Sequence, residues 1–184
     1  MVAEDSTIFY DRDRWLRVLE EIAMALGKEG DPVEICLIGS AACIFGGMEG
    51  RTSIDLDVWR PNSNFDELEL KNAVIKCGLL FDPKSEREPD TPYLQIVEPG
   101  IVQTGDFTSI PVKRMGRLHV TRPPYENIIA SKLTRADLKD IQDIQFLMQT
   151  YRPEKSAILK VIQTLPLRPR ETATENLIYL EILK

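Results

Sequence analysis

The stretch IGSAACIFGGMEGRTSIDLDV, residues 38–58, decides how this chain reads. It starts at the end of VEICLIG (33–39), a short apolar, β-branched run that fits a buried strand. Residues 40–45 contain no helix breaker and predict a short helix opening directly after that strand, and Gly46, Gly47 and Gly50 mark a loop. SIDLDVWRP (53–61) alternates apolar and acidic residues, the pattern of a strand with one covered face. On such a strand Asp55 and Asp57 share a face, while Ile54, Leu56 and Val58 point into the core. Two carboxylates so close repel each other, and a divalent cation removes that penalty. A donor set of oxygens with no His or Cys suits Mg²⁺ or Mn²⁺ better than zinc. Gly39-Ser40 lies where strand gives way to helix, and there the close approach allowed by glycine favours a phosphate. A cation beside a phosphate cradle is the apparatus of phosphoryl or nucleotidyl transfer. Taken singly, each half has a plainer reading: a strand-Gly-Ser-helix turn is ordinary connectivity, and a D-x-D strand is often a solvated face.

Outward from this stretch, residues 10–27 predict an amphipathic helix, with Trp15, Leu19, Ile22 and Leu26 on one face. A second helix is expected from a cap at Ser63 or Asn64 to about Cys77, followed by a polar, proline-punctuated loop over 82–92. Three strand candidates come next: YLQIVEP (93–99), GIVQTGDFTSIPV (100–112) and GRLHVTRPP (116–124). The remainder reads as helical. It comprises a helix over 125–134, a second capped by Asp137 with Leu138, Ile141, Ile144 and Met148 on one face, another after Pro153, and a last over 171–183. The class is α+β: a mixed β-sheet flanked by helices over 1–124, with a C-terminal helical cluster over 125–184 expected to pack with it as one unit.

With 184 residues, 43% hydrophobic and 28% charged, the chain can bury a real core. No apolar run approaches the roughly 18 residues of a membrane span, and MVAEDSTIFYDRDR has none of the features of a secretory leader. Cys36, Cys43 and Cys77 have no CxxC spacing and read as reduced thiols, which points to the cytoplasm. The net charge of −6 argues against a surface that wraps nucleic acid. The charge is uneven, since residues 107–135 carry +5 and the remainder −11. That basic segment is either a phosphate-facing surface or a set of solvated strand edges.

The order apolar strand, Gly39-Ser40, Ala-containing helix, Arg51-Thr52-Ser53, Asp55-Leu56-Asp57 resembles the DNA polymerase beta-type nucleotidyltransferase superfamily. It is nearest in style to the abortive-infection and toxin–antitoxin-associated branch. Ser131-Lys132-Leu133-Thr134-Arg135, followed by Lys139-Asp140-Ile141-Gln142-Asp143, is similar to that branch's K-L-x-R…K-D-x-x-D helical pair. The resemblance implies Mg²⁺ or Mn²⁺ held by Asp55 and Asp57, and a third carboxylate on a later strand, with Asp106 as candidate and Glu98 as rival. It implies a nucleoside triphosphate bound by Gly39, Ser40, Arg51, Lys132 (as a point charge) and Arg135 (as a fork), with Asp140 and Asp143 orienting the basic pair. RNA such as tRNA, protein or a small alcohol would accept the nucleotide, and an antitoxin-like partner or a homodimer fits the branch. The competing expectation is a catalytically silent nucleotide-binding or protein-interaction module of the same fold, which applies if no third acid reaches the metals.

Overall fold

The structure, a computed structural model, describes residues 10–84 and 90–182. Helix α1 (Arg12–Leu26) starts where the Asp11 carboxylate accepts the Arg14 N–H at 2.9 Å, and stops at Gly27, whose φ of +76° ends it without strain. It buries Trp15, Val18, Leu19, Ile22 and Leu26, the stripe expected of a helix with one covered face. Strand β1 (Val33–Cys36) leads into α2 (Gly39–Phe45), and the loop returns through β2 (Asp55–Trp59). Helix α3 (Glu67–Lys76) is followed by β3 (Leu80–Phe81), β4 (Tyr93–Val97), β5 (Ile110–Met115) and β6 (Leu118–Arg122). The chain ends in helices α4 (Tyr125–Leu133), α5 (Leu138–Tyr151), α6 (Lys155–Thr164), α7 (Leu167–Glu175) and α8 (Ile178–Ile182).

The strands form two sets of three, in the orders β1-β6-β5 and β2-β4-β3. Strand β6 is parallel to β1 and antiparallel to β5, while β4 is parallel to both β2 and β3. The sets meet at an antiparallel bridge, Leu37 to Val58, where the Ile38 N–H donates to the Asp57 carbonyl at 2.9 Å. This is a mixed α+β architecture. One face of the sheet, with Ile35, Leu37, Leu56, Val58, Leu94, Leu118 and Val120, packs against α1 and α3 in the main core. The other face carries a small cluster of Cys36, Ile38, Trp59 and Val97. Alternation along β2 puts Asp55 and Asp57 on this second face with Trp59, and alternation along β4 puts Tyr93 and Gln95 beside them. Helix α2 belongs to both halves of the molecule: Ala41, Ile44 and Phe45 enter the main core, while Ala42 and Cys43 pack with Ile129, Leu133, Ile144 and Leu147 of the helical cluster.

Several boundaries differ from the sequence expectation. The strand expected over 100–112 is irregular up to Ser109 apart from a single bridge at Val102, because Gly100 and Gly105 take φ of +96° and +65° and break the extended run. The cap of α3 is Asp66, whose carboxylate accepts the Glu69 N–H at 2.7 Å. Ser63 instead binds Cys36 N–H and the Trp59 carbonyl, and Asn64 pairs with Glu34. The last helix expected over 171–183 is two helices, α7 and α8, separated at Asn176-Leu177. Residues 85–89 of the polar loop lie outside the described residues. Among those described, no helix is long and apolar enough to cross a membrane.

Candidate active-site cleft

The second face of the sheet and the start of the helical cluster enclose a cleft of about 160 Å³. Gly39, Ser40 and Asp57 line one side, Arg51 enters from the loop before β2, and Ser131, Lys132 and Arg135 come from α4 and its end. The bend at Gly39 brings the first two together. Its φ is +61°, and a Cβ added there would meet Asp57 Oδ2 at 2.9 Å. The acid on the sheet therefore faces the glycine-serine bend. Gly39→Ala must accept a left-handed backbone costing about 1–2 kcal/mol and also displace the Asp57 carboxylate. We expect thermal denaturation to show a melting point lower by roughly 3–6 °C and titration to show weaker Mg²⁺–nucleotide binding. An unchanged melting point would mean that the bend is not as described.

The basic residues of the cleft form one tied network. Arg51 Nη2 donates to Ser40 Oγ at 2.8 Å and to Asp143 Oδ2 at 3.1 Å. Lys132 Nζ lies 2.6 Å from Asp143 Oδ2 and 3.0 Å from Asp140 Oδ1. Arg135 closes a fork on Asp140, with Nε and Nη2 each 3.0 Å from a carboxylate oxygen. Asp140 and Asp143 thus orient Lys132, Arg135 and Arg51, and neither is given to Lys139. The knot forms because α5 begins at Asp137, which caps it by accepting the Asp140 N–H at 2.9 Å. One helical turn then sets Asp140 and Asp143 on the same buried face. Lys132 is 3% exposed and Asp143 fully buried, so removing either partner would leave the other buried without its counter-charge. Burial pushes the Lys132 ammonium down, but the negative groups around it outweigh burial and its pKa stands above the ordinary lysine value. Burial likewise pushes Asp140 up, but Arg135 and Lys132 win and hold it below the ordinary carboxylate range. The Cys43 thiol, beside Asp143, is pushed up to about 12 by burial, so at neutral pH it adds no charge. Three cations against two carboxylates leave the knot net positive.

Asp55 sits differently from Asp57. It lies on the same strand face but outside the cleft lining, with its Oδ1 accepting the Ser53 hydroxyl and its Oδ2 the Tyr93 phenol at 3.1 Å. Asp106 is exposed in the irregular 101–109 segment and not on a strand, and only its backbone carbonyl is engaged, by Asn127 Nδ2 at 3.2 Å. Glu98 is also exposed, just past β4, and neither acid lines the cleft. Opposite Asp55 and Asp57 in the parallel register of β4 stand Tyr93 and Gln95, a phenol and an amide. Among the described residues, no group of three His, Cys, Asp or Glu is placed to hold a metal. The residues present still fit one: each Asp55 oxygen accepts one hydroxyl hydrogen and keeps a second lone pair, and Asp57 faces the cleft beside Gly39.

Tyr93, beside Asp55, and Thr104, in the cleft lining, carry no signal in the sequence pattern. Tyr93 is the first position of an alternating apolar strand, and only the register with β2 reveals that it meets Asp55. Much of the basic 107–135 segment proves to be internal. Arg117 is spent on Glu69 and the Leu26 and Asp31 carbonyls, and Arg122 on the Tyr125 ring and the Pro123 carbonyl. Lys113 and Arg114 remain exposed on β5.

No protein-family model matches the sequence, and no curated protein sequence does. Among solved structures, the chain is similar to an antigenic nucleotidyltransferase-like protein from Paracoccidioides brasiliensis, at 15% identity and a TM-score of 0.46, over 94% of this chain and 89% of that one.

Proposed function

We propose that the chain is a metal-dependent nucleotidyltransferase, moving a nucleoside monophosphate from a triphosphate to an acceptor hydroxyl. The observation that carries this reading is one cleft holding Asp57, Ser40 and a net-positive knot of Arg51, Lys132 and Arg135. Ser40 and the three cations would bind the phosphates, the guanidiniums by directed hydrogen bonds and Lys132 as a fixed charge. Asp55 and Asp57 would hold Mg²⁺ or Mn²⁺, which supplies charge neutralisation at the phosphates. The acceptor oxygen bonds to the α-phosphorus, the bond to the β-phosphate oxygen breaks, pyrophosphate leaves with the electron pair, and the acceptor proton passes to water. The acceptor class is RNA, protein or a small alcohol, and a role in toxin–antitoxin or phage-defence biology follows from the motif resemblance alone.

A second reading, a silent nucleotide-binding module, is favoured by one specific observation. The register partners of the two acids are Tyr93 and Gln95, and Asp106 and Glu98 stand away from the cleft. Incubation with Mg²⁺, α-labelled triphosphates and total RNA or protein separates the two. Label on an acceptor that disappears with EDTA is expected of the enzyme. Mg²⁺-dependent nucleotide binding with no transfer to any acceptor selects the silent module, and absence of nucleotide binding defeats both.

A further inference from the structure

We propose that Tyr93 is a positioning residue for Asp55, fixing the carboxylate that would share a divalent cation with Asp57; this rests on the nucleotide-cleft reading above. Tyr93 is 5% exposed, and its phenol donates to Asp55 Oδ2 at 3.1 Å across the parallel β2–β4 register. The other carboxylate oxygen accepts the Ser53 hydroxyl. Ser53 is itself fixed by paired backbone hydrogen bonds to Tyr10, both 3.0 Å, and by the Trp15 indole N–H on its carbonyl at 3.3 Å. Two hydroxyls, one from Ser53 just before β2 and one from Tyr93 on β4, therefore hold both ends of the Asp55 carboxylate and restrict its rotation about the side-chain bonds.

The chemistry of the clamp matters as much as its geometry. A hydroxyl donor takes one lone pair of each oxygen and leaves the other for a metal. It brings no formal charge, whereas Lys or Arg at either place would neutralise Asp55 and repel a cation. Three cations that line the cleft, Arg51, Lys132 and Arg135, are bound to Asp140 and Asp143 and not to Asp55. Partners that orient a ligating carboxylate are typically worth about 10–100-fold in metal affinity, so the clamp acts on cation binding and not on the phosphates directly.

The test uses the full chain with Mn²⁺ and a non-hydrolysable nucleoside triphosphate analogue, bound Mn²⁺ being read by electron paramagnetic resonance. Tyr93→Phe keeps the ring and removes the donor, and far-ultraviolet circular dichroism confirms its fold. We expect its Mn²⁺ affinity to fall about tenfold, while analogue binding without metal stays as in the parent. In an Asp55→Asn background the same substitution should produce no further loss, because the group it positions no longer ligates. Unchanged Mn²⁺ affinity in Tyr93→Phe, or an equal loss in the Asp55→Asn background, overturns the positioning role while leaving the cleft reading intact. If the parent itself takes up no Mn²⁺ with the analogue, the cleft reading fails and this proposal fails with it.

Discussion

Asp143→Ala should lose about 3 kcal/mol of folding stability, the lower end of the roughly 3–5 kcal/mol expected when one partner of a buried ion pair is deleted. The side chain is fully buried and holds two cations at once, Lys132 at 2.6 Å and Arg51 at 3.1 Å. Lys132 keeps Asp140, and Arg51 keeps Ser40 and is 13% exposed, so neither is stranded completely. That is why the lower end applies. The urea midpoint should fall by about 1–2 M at an m-value of roughly 2 kcal/mol/M. The effect should not stop at stability. Without Asp143, Arg51 and Lys132 lose the group that fixes their heads in the cleft, so nucleotide affinity should fall even though two unneutralised cations would by charge alone attract phosphate more strongly. Asp143→Asn separates the causes, since it keeps the shape and an acceptor and loses the charge. A variant at Asp143 as stable as the parent, with tighter nucleotide binding, would show that the knot is incidental to both folding and phosphate binding.

How far the sequence spoke for itself depends on whether a signal was local. The acid pair on β2, the turn into α2 and the cap at Asp137 are written in neighbouring residues, and the structure has each in place. Alternation along 55–59 has the correct face for Asp55 and Asp57, because a one-residue slip would turn Leu56 and Val58 out of the core, while Ile54, expected in the core, lies half-buried at the bend before β2. What could not be read was anything set by pairing between distant segments. Whether Tyr93 or Gln95 faces an acid depends on the β2–β4 register across 38 residues of chain. GIVQTGDFTSIPV is rich in β-formers and reads as a strand through Asp106, but positive φ at Gly100 and Gly105 overrides that propensity. The basic run 107–135 misled in another way. Charge counts treat each Arg as solvated, whereas Arg117 and Arg122 are 8% and 9% exposed and bonded inside the fold. Lys132 and Arg135 and their partners Asp140 and Asp143 are legible from the motif resemblance, whereas the reach of Asp143 to Arg51, 92 residues away, is set by how α5 packs.

Asp57→Asn should change nucleotide binding in opposite directions with and without metal, and the pair of signs is a sharper probe than either alone. The carboxylate faces the bend at Gly39 and shares the cleft with Ser40 and the cationic knot. With no divalent cation present, it is a negative charge in a phosphate site. Removing a unit charge at ~6 Å relieves about 3 kcal/mol of repulsion for an effective dielectric near 20, before salt screening. Metal-free triphosphate should therefore bind the variant more tightly, by about tenfold once screening is allowed for. With Mg²⁺ the sign reverses, because the same carboxylate becomes a ligand. An amide oxygen is a neutral and weaker donor to a hard cation, so affinity for the Mg²⁺ complex should drop by about 10–100-fold and transfer by more, since the cation also neutralises charge in the transition state. Isothermal titration with ATP in EDTA and then in Mg²⁺ reads both signs on one protein. A variant that binds Mg²⁺–nucleotide as well as the parent does would remove Asp57 from any metal site, and with it the reason for reading this cleft as a nucleotidyltransferase centre.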